Sequence, residues 1–174
     1  MHVLSEPGLG GTTGSVIVLT TPDAQRTMLS CWGTSARLPY DAALDDAVAA
    51  ADVLVVEGYL WEMPETIASI KRALVTAKSH GVTVAFTCSD RTCVERHGAA
   101  FWELLRSGAV DVLFCNRDEA LAMTGQGEHA GLKGGAGSDT MRALAACAAT
   151  VIITDGSQGA YLRHGDEQVR RTHA

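Results

Sequence analysis

From residue 53 onward, short apolar runs alternate with longer segments whose apolar positions recur every three or four residues. Val53-Leu54-Val55-Val56 is an unbroken apolar run, the pattern of a strand buried on both faces. After it, Ile67, Ile70, Ala73, Leu74 and Ala77 fall at helical spacing behind Pro64, which suits a first helical turn, and His80-Gly81 stops the helix. The same reading predicts strands at 82–86, 110–115 and 150–153. It predicts helical segments at 91–95, 99–107 and 118–123, and a helix from Ser138, as N-cap, to Ala148. The stretch 125–137 is rich in glycine and reads as a loop, and 160–163 with 168–171 reads as a closing antiparallel pair. Ahead of residue 53 the pattern differs. The first thirteen residues read as irregular, 15–20 and 26–32 form a β-hairpin about the turn Pro22-Asp23-Ala24-Gln25, and 39–50 is a helix carrying Leu44, Ala47 and Val48. Repeated β–α units imply an α/β fold with a mostly parallel sheet covered by helices.

Composition narrows the function classes. A chain of 174 residues with 47% hydrophobic side chains supports one domain with a substantial core. A net charge of −6 argues against a broad nucleic-acid-binding face, which needs a basic surface. No apolar run approaches the length of a membrane span, and Met1 to Pro7 lacks the charged and apolar regions of a secretory signal. Cys31, Cys88, Cys93, Cys115 and Cys147 have no framework spacing and read as reduced, buried side chains of a cytoplasmic protein.

Candidate chemistry sits where predicted strands end, because ligands of parallel sheets bind outside the carboxyl ends of the strands. Asn116-Arg117-Asp118-Glu119 follows Val112-Leu113-Phe114-Cys115. Its spacing satisfies a capping box, which by itself needs no further task; the functional reading keeps the cap and adds that Asn and Glu at a helix start can hold Mg²⁺ through waters beside phosphates. Thr154-Asp155-Gly156-Ser157-Gln158-Gly159 follows Val151-Ile152-Ile153. It reads as a tight hairpin turn, or as a loop whose glycines let backbone N–H groups approach phosphate. Asp90 reads as a helix cap, with an outer role near Mg²⁺ or phosphate as the alternative. Cys88, Cys93 and His97 do not match a four-ligand zinc pattern.

These segments together resemble the middle portion of the PfkB/ribokinase family of sugar and nucleoside kinases. Asn116 and Glu119 match its Asn-x-x-Glu motif, and Thr154, Gly156 and Gly159 match its Thr-x-Gly-x-x-Gly nucleotide loop. Thr21-Pro22-Asp23-Ala24-Gln25-Arg26-Thr27-Met28, Glu57-Gly58-Tyr59-Leu60-Trp61, and the stretch from Ser89-Asp90 to Arg96-His97 look like its adenosine-kinase-like branch. The resemblance implies a ribokinase-like fold, with 1–174 a single partial domain truncated at both ends. Residues 14–33 would belong to a lid and 51–174 would form the nucleotide-side core. It implies ATP and Mg²⁺ as cofactors and a nucleoside or sugar hydroxyl as acceptor. Asn116 and Glu119 would organise the metal through water, Thr154, Gly156 and Gly159 would line the nucleotide, and Arg26 would neutralise the transferring phosphoryl group. Gly135-Ala136-Gly137-Ser138-Asp139 resembles the family's Gly-Ala-Gly-Asp anion hole and catalytic base, but it carries an extra Ser and precedes the Thr154 loop. The expectation is therefore little or no turnover by this polypeptide alone, with self-association into a homodimer favoured by bare sheet edges. The alternatives are a non-catalytic nucleotide-binding module and an oligomerising remnant.

Overall fold

The computed structural model describes residues 11–37, 39–126, 139–167 and 170–172. Two sheets are present among them. β1 (Ser15–Thr20) and β2 (Arg26–Cys31) pair antiparallel as a separate hairpin whose residues are all exposed. The larger sheet runs in chain order: β3 (Val53–Glu57), β4 (Thr83–Thr87), β5 (Val112–Asn116), β6 (Thr150–Thr154), β7 (Ala160–His164) and β8 (Arg170–Thr172). β3 to β6 are parallel, and β7 and β8 add antiparallel. Between the parallel strands lie α2 (Pro64–Ser79), α3 (Arg91–Arg106), α4 (Arg117–Met123) and α5 (Asp139–Ala145), with α1 (Ala42–Ala49) ahead of β3. The expected α/β architecture is thus present.

One face of the larger sheet holds the core. Leu54, Val56, Val84, Phe86, Leu113, Cys115, Val151 and Ile153 alternate along their strands and pack with Ile70, Leu74, Phe101, Leu105 and Leu144 from the helices. Trp61, Phe86 and Phe101 meet edge to face at centroid separations of 5.0–5.7 Å. Full burial of Phe86 and Phe101 contributes about 1.5–3 kcal/mol each.

Several sequence expectations need correction. The Val53–Val56 run is not buried on both faces: β3 is an edge strand, with Val53 51% and Val55 67% exposed. Only its Leu54 and Val56 side packs against the core, because no described helix covers the other side. The segments 91–95 and 99–107 form one helix, α3. Gly98 costs about 1 kcal/mol inside a helix, less than is gained by burying Cys93, Val94, Phe101 and Leu105 on one face. The helix expected from residue 39 starts at Ala42, where the Asp41 side chain accepts a hydrogen bond from the Leu44 N–H. Cys88, Cys93 and Cys115 are buried as expected, but Cys31 is exposed on the hairpin. Most of the glycine-rich stretch and the Ser138 cap lie outside the described residues.

Candidate functional site

The carboxyl ends of β4, β5 and β6 open on one cavity of about 260 Å³, lined by Thr87, Phe114, Cys115, Asn116, Glu119 and Thr154. Parallel register makes this possible: Asn116 pairs with Thr154, so the ends of β5 and β6 sit level, while Thr87 pairs with Phe114 and the end of β4 lies two residues behind them.

Asn116 caps α4 reciprocally. Its Oδ1 accepts from the Glu119 N–H at 2.9 Å, and Glu119 Oε2 accepts from the Asn116 N–H at 2.9 Å. Glu119 Oε1 also accepts from Asn116 Nδ2 at 2.7 Å. The capping box is therefore real, and it locks both side chains at the cavity edge. Glu119 is only 4% exposed. Burial raises its pKa above the ordinary carboxylate value, the Asn116 N–H pulls the other way, and the Asp90 and Asp118 carboxylates add to the rise. A buried carboxylate repelled by two others is a place where a cation lowers the energy.

Thr154 ends β6 and also pairs with Ala160 of β7, so the loop beyond it does join an antiparallel hairpin. Gly156 and Gly159 take φ of 51° and 89°, in the left-handed region that favours glycine. The Asp155 N–H donates to Gly159 O at 2.8 Å and the Gln158 N–H to Asp155 O at 2.9 Å, which closes the loop. Arg117, first residue of α4, places Nη1 3.9 Å from Asp155 Oδ1 and so bridges the two loops.

The candidate residues are thus not all brought together. Asn116, Glu119 and Thr154 share the cavity; Gly156 and Gly159 lie on its flanking loop without lining it. Arg26 pairs with Thr20 at the turn end of the separate hairpin, is exposed, and does not line the cavity. Asp90 is the cap of α3, accepting from the Cys93 N–H at 2.7 Å and Thr92 Oγ1 at 2.6 Å, and it also adds to the field at Glu119. Cys93 makes a poor metal ligand, since burial, with the Glu62 and Asp90 carboxylates, pushes its thiol up to about 12. Thr87, Phe114 and Cys115 were missed, although Thr87 directly follows the predicted strand 82–86 and could have been found by the strand-end rule. The Arg117–Asp155 contact had no sequence signal, because it depends on which strands are neighbours.

A parallel sheet with a helix-capped pocket at its strand ends places the chain among the α/β proteins whose ligands bind outside the carboxyl ends of the strands. The pfkB carbohydrate kinase family profile matches residues 9–174, and the chain belongs to that family. The fold is similar to adenosine kinase from Sinorhizobium meliloti, at 33% identity and TM-score 0.83, covering 93% of this chain and 47% of that one. It is also similar to a probable sugar kinase from Rhizobium etli CFN 42, at 30% identity and TM-score 0.83, covering 92% of this chain and 46% of that one. Guanosine-inosine kinase from Escherichia coli K12 is 27% identical over 127 residues, which is 70% of this chain and 28% of that protein. The chain thus spans less than half the length of these relatives.

Proposed function

We propose that this chain supplies the nucleotide-binding part of an ATP-dependent phosphotransferase whose acceptor is a hydroxyl of a nucleoside or sugar. The observation that carries the reading is the shared cavity of Asn116, Glu119 and Thr154 at the ends of adjacent parallel strands. Family membership supports phosphoryl transfer, and the named relatives, an adenosine kinase, a sugar kinase and a guanosine-inosine kinase, support the acceptor class.

The donor set suits Mg²⁺ held through water. Both Glu119 oxygens already accept N–H donors, which leaves lone pairs for hydrating waters rather than for a closed protein cage, and Mg²⁺ retains its waters readily. When bound, Mg²⁺ supplies charge neutralisation for the phosphates. Asn116 and Glu119 would hold it, the Thr154 hydroxyl and the loop N–H groups around Gly156 and Gly159 would orient the phosphates, and Arg26 would contribute positive charge if the hairpin folds over the site as a lid. Glu119, the one carboxylate among the lining residues, has both oxygens engaged by Asn116 and is poorly placed to serve as a base. The 174-residue polypeptide alone is therefore expected to bind nucleotide with little or no turnover.

Titration calorimetry with Mg-ATP tests the proposal. Saturable heat with a rise in melting temperature is expected; neither heat nor a thermal shift would overturn it. Binding with no product formed from any nucleoside or sugar would favour a non-catalytic nucleotide-binding module.

A further inference from the structure

We infer that Arg117 and Asp155 form a cross-loop pair that positions the Thr154–Gly159 loop against the Asn116–Glu119 turn, making Arg117 a positioning residue for nucleotide binding. This rests on the reading that the cavity binds a nucleotide. Four observations carry it. First, the pair joins the two loops directly: Arg117 follows Asn116 and Asp155 follows Thr154, the two residues paired across β5 and β6. Second, Arg117 opens α4, where the helix dipole is positive and a cation is disfavoured, so a nearby anion offsets that cost, and among the described residues Asp155 lies within 4 Å of it. Third, the Asp155 backbone makes two of the hydrogen bonds that close its loop, so holding its carboxylate restrains the loop. Fourth, Arg117 Nε is buried with no hydrogen-bond partner among the described residues, so the contact with Asp155 is the polar contact on which the placement of this guanidinium is argued.

At 3.9 Å the contact lies at the long end of ion-pair geometry, with the side chains 38% and 16% exposed. Its effect is therefore electrostatic steering that salt weakens, rather than a fixed hydrogen bond. The pair sits outside the core, so its loss should loosen one loop without unfolding the sheet.

The test uses the full chain as wild type, Arg117→Met, Asp155→Asn, the Met/Asn double variant, and the charge exchange Arg117→Asp with Asp155→Arg. Two readouts are taken: amide hydrogen exchange of residues 154–159 without ligand, and the Kd for Mg-ATP by calorimetry. Each single variant should speed loop exchange and weaken Mg-ATP by about twofold to fivefold, the size of a partly screened pair. Melting temperature should be unchanged, the double variant should be no worse than the worse single, and the charge exchange should recover part of the loss. Additive losses in the double variant, or loop exchange unaltered by either single change, would overturn the coupling. Absence of Mg-ATP heat in the wild type would sink the nucleotide reading and the purpose assigned to the pair; exchange rates, read without ligand, show separately whether the loops are coupled.

Discussion

Replacing Glu119 by Gln separates the structural role of the capping box from the role proposed for its charge. The carboxylate accepts two hydrogen bonds, from the backbone N–H and the Nδ2 of Asn116. Glutamine has one acceptor oxygen, and Asn116 cannot turn its amide because Oδ1 is committed to the Glu119 N–H. One charge-assisted hydrogen bond is lost, at about 1.5–3 kcal/mol. The ionised form is already disfavoured by burial and by Asp90 and Asp118, and removing the charge returns part of that. The net cost should be about 1 kcal/mol, or about 2–4 °C in melting temperature for a chain of this size. Glu119→Ala loses both hydrogen bonds and opens a void, so it should cost about 3 kcal/mol. Binding should respond in the opposite proportion. Two unit charges about 5 Å apart interact by about 3 kcal/mol at an effective dielectric near 20, and intervening waters would still leave about a tenfold or greater loss of Mg²⁺-dependent ATP affinity in Glu119→Gln. The pH profile supplies a second check. A pKa raised in the fold means that the ionised carboxylate, and the Mg²⁺-dependent binding it supports, is lost as pH falls through a value above that of an ordinary glutamate. Calorimetry across that range should show the dependence in wild type and not in Glu119→Gln. Wild-type affinity in Glu119→Gln, with an unchanged Mg²⁺ requirement, would refute the assignment.

Asp111 accepts hydrogen bonds from Lys78 Nζ and the Val84 N–H, both at 2.8 Å. Asp111→Ala should cost about 1.5–3 kcal/mol in denaturant melts because it strands a buried N–H, whereas Asp111→Asn should cost less than about 1 kcal/mol. Burial pushes the Asp111 pKa up, but those two donors hold it below the usual value, so its stabilisation should persist in mild acid and fade only as pH falls through the lowered pKa. Gly58→Ala should lose about 1–3 kcal/mol, since a Cβ there would lie 2.8 Å from Cys88 O and 3.0 Å from Phe101 Cζ; a melting temperature equal to wild type would contradict this packing. Val53→Thr with Val55→Thr should leave stability within about 1 kcal/mol, since both are exposed, while lowering apolar-dye binding and self-association. Unchanged dye binding would mean that this face is already covered in solution.

The parts of the site legible in the sequence are those built by neighbouring residues. An Asn three residues before a Glu at the end of an apolar run specifies a capping box almost without reference to the rest of the chain, and the box is there. Strand identity was legible for the same reason, with boundaries moving by a residue or two. Sheet order was not. The run Val53–Val56 looks identical whether it lies at the centre of a sheet or at its edge, because period and propensity report local burial demand and not which neighbours arrive.

The same distinction separates Arg117 from Arg26. Arg117 lies inside the Asn116–Glu119 motif and Arg26 inside the Thr21–Met28 segment, and neither position says by itself whether the side chain reaches the cavity. Pairing of Asn116 with Thr154 carries Arg117 and Asp155 one step past their strand ends, where the two charges meet. Among the described residues, Arg26 belongs to a sheet paired only within itself, so no register there ties its position to the cavity. On the proposed reading, contact of Arg26 with the phosphates would require the hairpin to move toward the cavity, which Arg26 does not line. A charge-removing change at Arg26 should therefore leave ground-state Mg-ATP affinity near wild type, while the same change at Arg117 lowers it. The reverse ranking in calorimetry would show that the hairpin, and not the register of β5 with β6, organises the nucleotide site.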